Sequence, residues 1–144
     1  MNVKNLHKQQ DWEKYYKSHA PLQVKLKSGI FTSYDVLLCD TLLSKYLPKY
    51  RGTSKKQPVI CELGSGDGML VKKIAGLIGH KPFGIEYSKK AVKISKINGV
   101  EAYVADAFDE KVVSKFKNHF DVVFSYGFVE HIIPPEKAVK LHIC

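Results

Sequence analysis

Three cysteines, Cys39, Cys61 and Cys144, are too few and of the wrong parity for a disulfide framework, and no C-x-x-C pair occurs. That usage fits reduced thiols, and Cys61, inside an apolar run, reads as a small core residue. No apolar stretch reaches membrane-spanning length, and Met1-Asn2-Val3-Lys4-Asn5-Leu6-His7 lacks the apolar core of a secretory signal. A cytoplasmic protein is therefore expected. Internal repeats and low-complexity runs are missing as well. Acidic residues are scarce beside basic ones, 14 against 23, leaving a net charge of +9. Such an excess would suit an acidic partner. The lysines, however, recur at helical intervals on solvated faces and are not interleaved with an aromatic motif, which argues against nucleic acid. What remains is 144 residues, 44% hydrophobic and 26% charged. That is the make-up of one globular domain able to bury a core.

The stretch around which the rest is organised reads Val59-Ile60-Cys61-Glu62-Leu63-Gly64-Ser65-Gly66-Asp67-Gly68. Four apolar residues in five, two of them β-branched, followed at once by glycines at alternate positions, predict a buried parallel strand that breaks into a tight loop. Gly64, Gly66 and Gly68 lack a Cβ, so this backbone can take positive φ and let a ligand lie against its amides at the start of the next helix. The dinucleotide fingerprint places its third glycine three residues after the second, whereas here the interval is two. Glu62 leads the loop with a carboxylate, which repels a pyrophosphate and attracts an ammonium. An amino-acid-bearing cofactor is favoured.

Ahead of this stretch, Trp12, Tyr15, Tyr16 and His19 fall at helical spacing between Gln9 and His19 and give one aromatic side. Thr32 to Asp35 fits a capping pattern, and Val36, Cys39, Leu43 and Leu47 predict a helix over 33–47 that Pro48 stops. After the glycine loop, Leu70, Val71, Ile74, Leu77 and Ile78 form an apolar stripe ending at Gly79. Strands are predicted at Pro82 to Glu86, Val100 to Ala105 and Phe120 to Ser125. Ser88 caps the helix between the first two of these, and a short helix around Val112, Val113 and Phe116 precedes the last. Pro134-Pro135-Glu136 opens a final helix with Ala138, Val139 and Leu141 inward. Glu62, Glu86 and Asp106 each stand at or near a strand end, and open α/β sheets bind ligands outside those carboxyl ends.

The run Glu62-Leu63-Gly64-Ser65-Gly66-Asp67-Gly68 closely resembles motif I of the class I S-adenosylmethionine-dependent methyltransferases. The likeness continues through Glu86, Asp106-Ala107 and Ser125-Tyr126-Gly127-Phe128-Val129-Glu130-His131, over roughly residues 30 to 140. The resemblance implies an α/β, Rossmann-like doubly wound parallel sheet, an S-adenosyl-L-methionine cofactor and a methyl transfer to a small-molecule or lipid acceptor. Implied cofactor contacts are Glu62, Gly64, Ser65, Gly66, Gly68, Glu86, Tyr87, Asp106, Ala107, Ser125 and Tyr126. Among them, Glu62 would meet the methionyl ammonium, Glu86 the ribose hydroxyls and Asp106 the adenine amine. Glu130 and His131 are candidate general-base or substrate contacts, because imidazole titrates near neutrality and a carboxylate can hold it. Equally, they could simply begin a helix or a turn.

In such enzymes a helix like the aromatic one often lies across the cofactor pocket, so residues 1–32 are read as a lid segment and 33–144 as the cofactor-binding domain. Trp12 and Tyr16 are then either packing residues or ligand contacts. The Asn/Asp-Pro-Pro-Tyr/Phe tetrapeptide of base and glutamine methylation is missing after strand 4, which argues further against nucleic acid. The family sheet has seven strands in the order 3-2-1-4-5-7-6, and only four are accounted for here. The chain is therefore read as truncated after strand 4, with Val122, Val123 and Phe124 an apolar edge for a partner chain or an identical copy to cover. The alternative reading is a cofactor-binding module without catalytic activity. No metal site is expected.

Overall fold

The computed structural model describes residues 11–18, 44–47, 49 and 56–143. An N-terminal helix α1 spans residues 11–18, and a single helical turn α2 covers Ser44–Tyr46. Strand and helix then alternate: β1 Val59–Leu63, α3 Met69–Ile78, β2 Lys81–Glu86, α4 Lys89–Ile97, β3 Glu101–Val104, α5 Glu110–Phe116 and β4 Val122–Ser125. A short 3-10 turn at Val129–His131 and helix α6, Glu136–Leu141, follow. The four strands form one sheet in the order β3-β2-β1-β4, and every pairing is parallel.

Alternation along β1 explains the doubly wound architecture. Successive side chains of a strand point to opposite faces, so Ile60 joins Val71, Ile74, Ala75, Ile78 and Val100 under α3 on one side. Cys61 and Leu63 join Phe83 and Ile85 on the other, with Phe116, Phe120 and Val123 packed around them. Each fully buried Val, Leu or Ile contributes about 1.5–3 kcal/mol of apolar transfer. The strand alone could stabilise neither helix layer. Together they fix β1 in the middle of the sheet, with its register set by Cys61 opposite Phe83 on β2 and Val123 on β4.

Strand β2 starts one residue earlier than the sequence reading has it, at Lys81, β3 ends one residue earlier, at Val104, and β3 and β4 both start later. Val100 precedes β3 and serves the α3 core, its N–H donating to Ser95 O. Strand β4 starts at Val122, because Asp121 forms a clamp on β1 instead: its Oδ2 accepts from Val59 N–H at 2.8 Å and its own N–H donates to Val59 O at 2.9 Å. Of the expected helix over 33–47, only Ser44–Tyr46 falls within the described residues. The boundary expected at residues 32 and 33 lies outside them. No helix among the described residues is long and apolar enough to cross a membrane.

Candidate functional site

The carboxyl ends of the strands open on a cavity of about 450 Å³. Its floor is the bend after β1, where Gly64, Gly66 and Gly68 have φ of 70°, 55° and 74°. Only glycine holds this conformation without strain, and space is short as well: a Cβ on Gly64 would come within 2.8 Å of the Phe128 ring, and one on Gly66 within 2.6 Å of the Tyr16 hydroxyl. Gly64 N–H donates to Ile85 O at 2.8 Å, which pins the bend to β2.

Glu86, the last residue of β2, is 5% exposed. Its Oε2 accepts from Gly66 N–H at 2.9 Å and its Oε1 from Ser88 N–H at 2.7 Å. Burial pushes its carboxyl above the usual range, the backbone donors at Ser88, Gly66 and Tyr87 oppose that rise, and the nearby Glu13 charge adds to it. Asp106, just past β3, is exposed, and its Oδ1 accepts from Phe108 N–H at 2.9 Å. Phe108 in turn stacks on Phe128, with ring centroids 6.0 Å apart.

Helix α1 supplies one wall of the cavity through Trp12, Tyr15 and Tyr16. It is fastened by Glu13, whose Oε1 accepts from the N–H of Lys89, the first residue of α4, at 2.6 Å. Trp12 meets the His131 ring edge to face at 5.2 Å. Burial raises the Tyr16 phenol far above its ordinary value, and the acids Glu86, Asp67 and Glu62 reinforce the shift. The opposite wall holds Tyr126, Gly127, Glu130, His131 and Ile132. There the Nδ1 of His131 is buried without a hydrogen-bond partner.

Of the residues singled out from sequence, Gly64, Glu86, Tyr87, Asp106, Ala107, Tyr126, Glu130 and His131 share this cavity wall. The others lie elsewhere. Glu62 is buried one residue before the end of β1, on the Ile60 face, and its Oε2 accepts from Val71 N–H at 3.2 Å, so it caps the first turn of α3. Ser65 is buried with its Oγ unpartnered, packed against Gly84. Gly66 lies between Glu86 and Tyr16, and Gly68 backs onto Ser95. Ser125 hydrogen-bonds His142 Nε2 at 3.0 Å. Trp12 and Tyr16 both pack and line the cavity. Sequence reasoning missed Phe108 as a wall residue and Glu13 as the fastener. No local signal marks the latter, since its partner is 76 residues away.

This wall suits an adenosyl group. Carboxylates at the tips of β2 and β3 offer acceptors for a ribose diol and an exocyclic amine, bare backbone lies between them, and the flat faces of Tyr87 and Phe108 stand alongside. No group of three or more His, Cys, Asp or Glu among the described residues is placed to hold a metal ion.

Comparison with known proteins agrees with that fit. Residues 61–141, more than half of the chain, match a family described as a methyltransferase domain. Among solved structures, the plantazolicin methyltransferase BpumL, in complex with a pentazolic desmethylPZN analog and SAH, is 21% identical with a TM-score of 0.54, over 84% of this chain and 46% of that one. A methyltransferase in complex with the Haloferax volcanii Trm112 activator is 16% identical with a TM-score of 0.52, over 74% of this chain and 46% of that one. At these identities the likeness is one of fold. The chain spans between 31% and 51% of the length of the solved structures it resembles. No curated protein matches it. From a parallel sheet wound in the order 3-2-1-4, a glycine bend at its centre and a family match over more than half of its length, the chain belongs to the class I S-adenosylmethionine-dependent methyltransferases.

Proposed function

We propose that the chain holds S-adenosylmethionine in the cavity at the strand tips and provides the cofactor-binding part of an enzyme that methylates a small-molecule or lipid acceptor. The observation that carries this reading is the sharing of one cavity by Glu86, Asp106 and His131, with the glycine bend beginning at Gly64. When bound, the cofactor supplies an electrophilic methyl on a sulfonium, so the protein's task is mainly one of placement. Holding nucleophile and electrophile in line supplies on the order of 7–11 kcal/mol of the barrier.

Glu86 would receive the ribose hydroxyls, and Asp106, with the backbone at Ala107, the adenine edge. Gly64 keeps the floor clear, and Gly66 and Gly68 let the bend pack against Glu86, Tyr16 and Ser95. Glu62 would face the methionyl ammonium with whatever acceptor capacity its link to Val71 leaves. His131 or Glu130 would take the proton of the acceptor group. Strand β4 pairs only with β1 among the described residues, so its other edge is the place for a further strand.

Calorimetric titration with S-adenosylhomocysteine, run beside transfer of labelled methyl groups into a cell extract, tests the reading. Binding with a methylated product supports it. Binding without transfer to any fraction would make the chain a cofactor-binding module without activity, and absence of binding would overturn both.

A further inference from the structure

The charge on the cavity wall runs against the charge of the chain. Lysine and arginine outnumber acidic residues 23 to 14 in the sequence, yet among the described residues the wall carries Glu86, Asp106 and Glu130 and no lysine or arginine. A phosphate or carboxylate ligand would enter facing these carboxylates. Two of these acids sit beside the place proposed for the adenosyl group. Glu130 does not. It stands on the far wall with Tyr126 and His131, and its Oε1 lies over Gly127, 3.8 Å from where a Cβ on that glycine would be. Gly127 takes a φ of 70°.

Aromatic residues line the same cavity as Glu130. Trp12 and Tyr15 stand edge to face at 5.9 Å, Trp12 meets His131 at 5.2 Å, and Tyr126 is 54% exposed. Indole and phenol faces attract a cation through the ring quadrupole, tryptophan most strongly, and they also accept a flat ring by stacking. The His131 ring lines the same wall, with its Nδ1 buried and without a hydrogen-bond partner.

Resting on the methyltransferase reading, we infer that the acceptor is a cation: a molecule with an aliphatic amine joined by a short arm to a planar ring, its ammonium opposed by Glu130 and its ring held among Trp12, Tyr15 and Tyr126. The sulfonium of the cofactor is itself positive and would also favour an acid-lined wall, so the test uses S-adenosylhomocysteine, whose sulfur is uncharged.

The experiment saturates the full chain with S-adenosylhomocysteine and titrates 2-phenylethylamine, 2-phenylethanol and phenylacetate, which share a ring and differ in charge. Trp12 is the chain's single tryptophan, so its fluorescence reads occupancy of this wall. The amine is expected to bind at least about tenfold tighter than the alcohol, which corresponds to about 1.4 kcal/mol, with the carboxylate weakest. Glu130→Gln, at an exposed position, is expected to bring amine and alcohol within about threefold of each other. Phenylacetate binding as tightly as the amine, a preference that survives Glu130→Gln, or failure of all three probes would overturn the inference. Failure of S-adenosylhomocysteine itself to bind would instead overturn the methyltransferase reading.

Discussion

Glu86 holds together two parts of the site with one carboxylate. One oxygen takes the amide of Gly66 in the glycine bend and the other the amide of Ser88 ahead of α4. Hydrogen bonds to a charged group are worth about 1.5–3 kcal/mol each, so Glu86→Ala is expected to weaken S-adenosylhomocysteine binding by at least about 1 kcal/mol in calorimetry. An unchanged dissociation constant would remove Glu86 from the site. Its pH behaviour follows from burial. The folded-state pKa lies above the ordinary 4.5, so the folded protein keeps this proton to higher pH than the unfolded chain does. The contribution of Glu86 to stability is therefore fully present below about pH 4.5 and is lost as pH rises through the raised folded value. Melting curves of the wild type and Glu86→Gln across that window should show the difference between them moving in the wild type's disfavour as pH increases. A second residue-scale expectation concerns Gly84, where a Cβ would fall 2.8 Å from the Ser65 Cβ. Gly84→Ala should cost about 1–3 kcal/mol of stability in denaturant titration. Nothing in the sequence singles out Gly84, because its constraint comes from a loop that follows a different strand.

Among the elements, α1 shows how much a short helix depends on tertiary contacts. Eight residues cannot hold a helix in water by propensity alone. Here the aromatic side is sequestered against His131 and the glycine bend, and Glu13 accepts from the first amide of α4, where a negative charge also opposes the positive end of the helix dipole. Glu13→Ala should loosen α1, shift Trp12 emission toward longer wavelength and weaken S-adenosylhomocysteine binding severalfold, while Glu13→Gln retains most of the affinity. Unchanged emission and affinity in the alanine variant would show that Glu13 does not hold α1. The aromatic stripe was legible because its periodicity is local. The fastening contact was not, since no residue near Glu13 encodes the position of α4. The same distinction applies to Glu62: the carboxylate ahead of the glycines was visible in sequence, but its turn toward Val71 depends on how α3 packs over the Ile60 face.

For the whole molecule, the parallel strands were legible in runs such as Val59–Leu63 and Phe83–Glu86, whose apolar continuity and glycine punctuation demand burial on both faces, while their order came only from the resemblance to the methyltransferase family. The later starts of β3 and β4, after Val100 and Asp121, were set by a core contact and a clamp on β1 that hydropathy does not record. Among the described residues β4 pairs only with β1, and a strand edge left unpaired is a template for association. Sedimentation velocity should show association that grows with concentration, and hydrogen exchange should show β4 amides becoming protected as it does. A monomer at all concentrations with unprotected β4 amides would contradict this. The account as a whole rests on an adenosyl group seated among Gly64, Glu86 and Asp106. A structure of the chain with S-adenosylhomocysteine tests that directly: the ribose hydroxyls should lie within hydrogen-bonding distance of Glu86 and the adenine amine beside Asp106, whereas a nucleoside bound away from both carboxylates would contradict it.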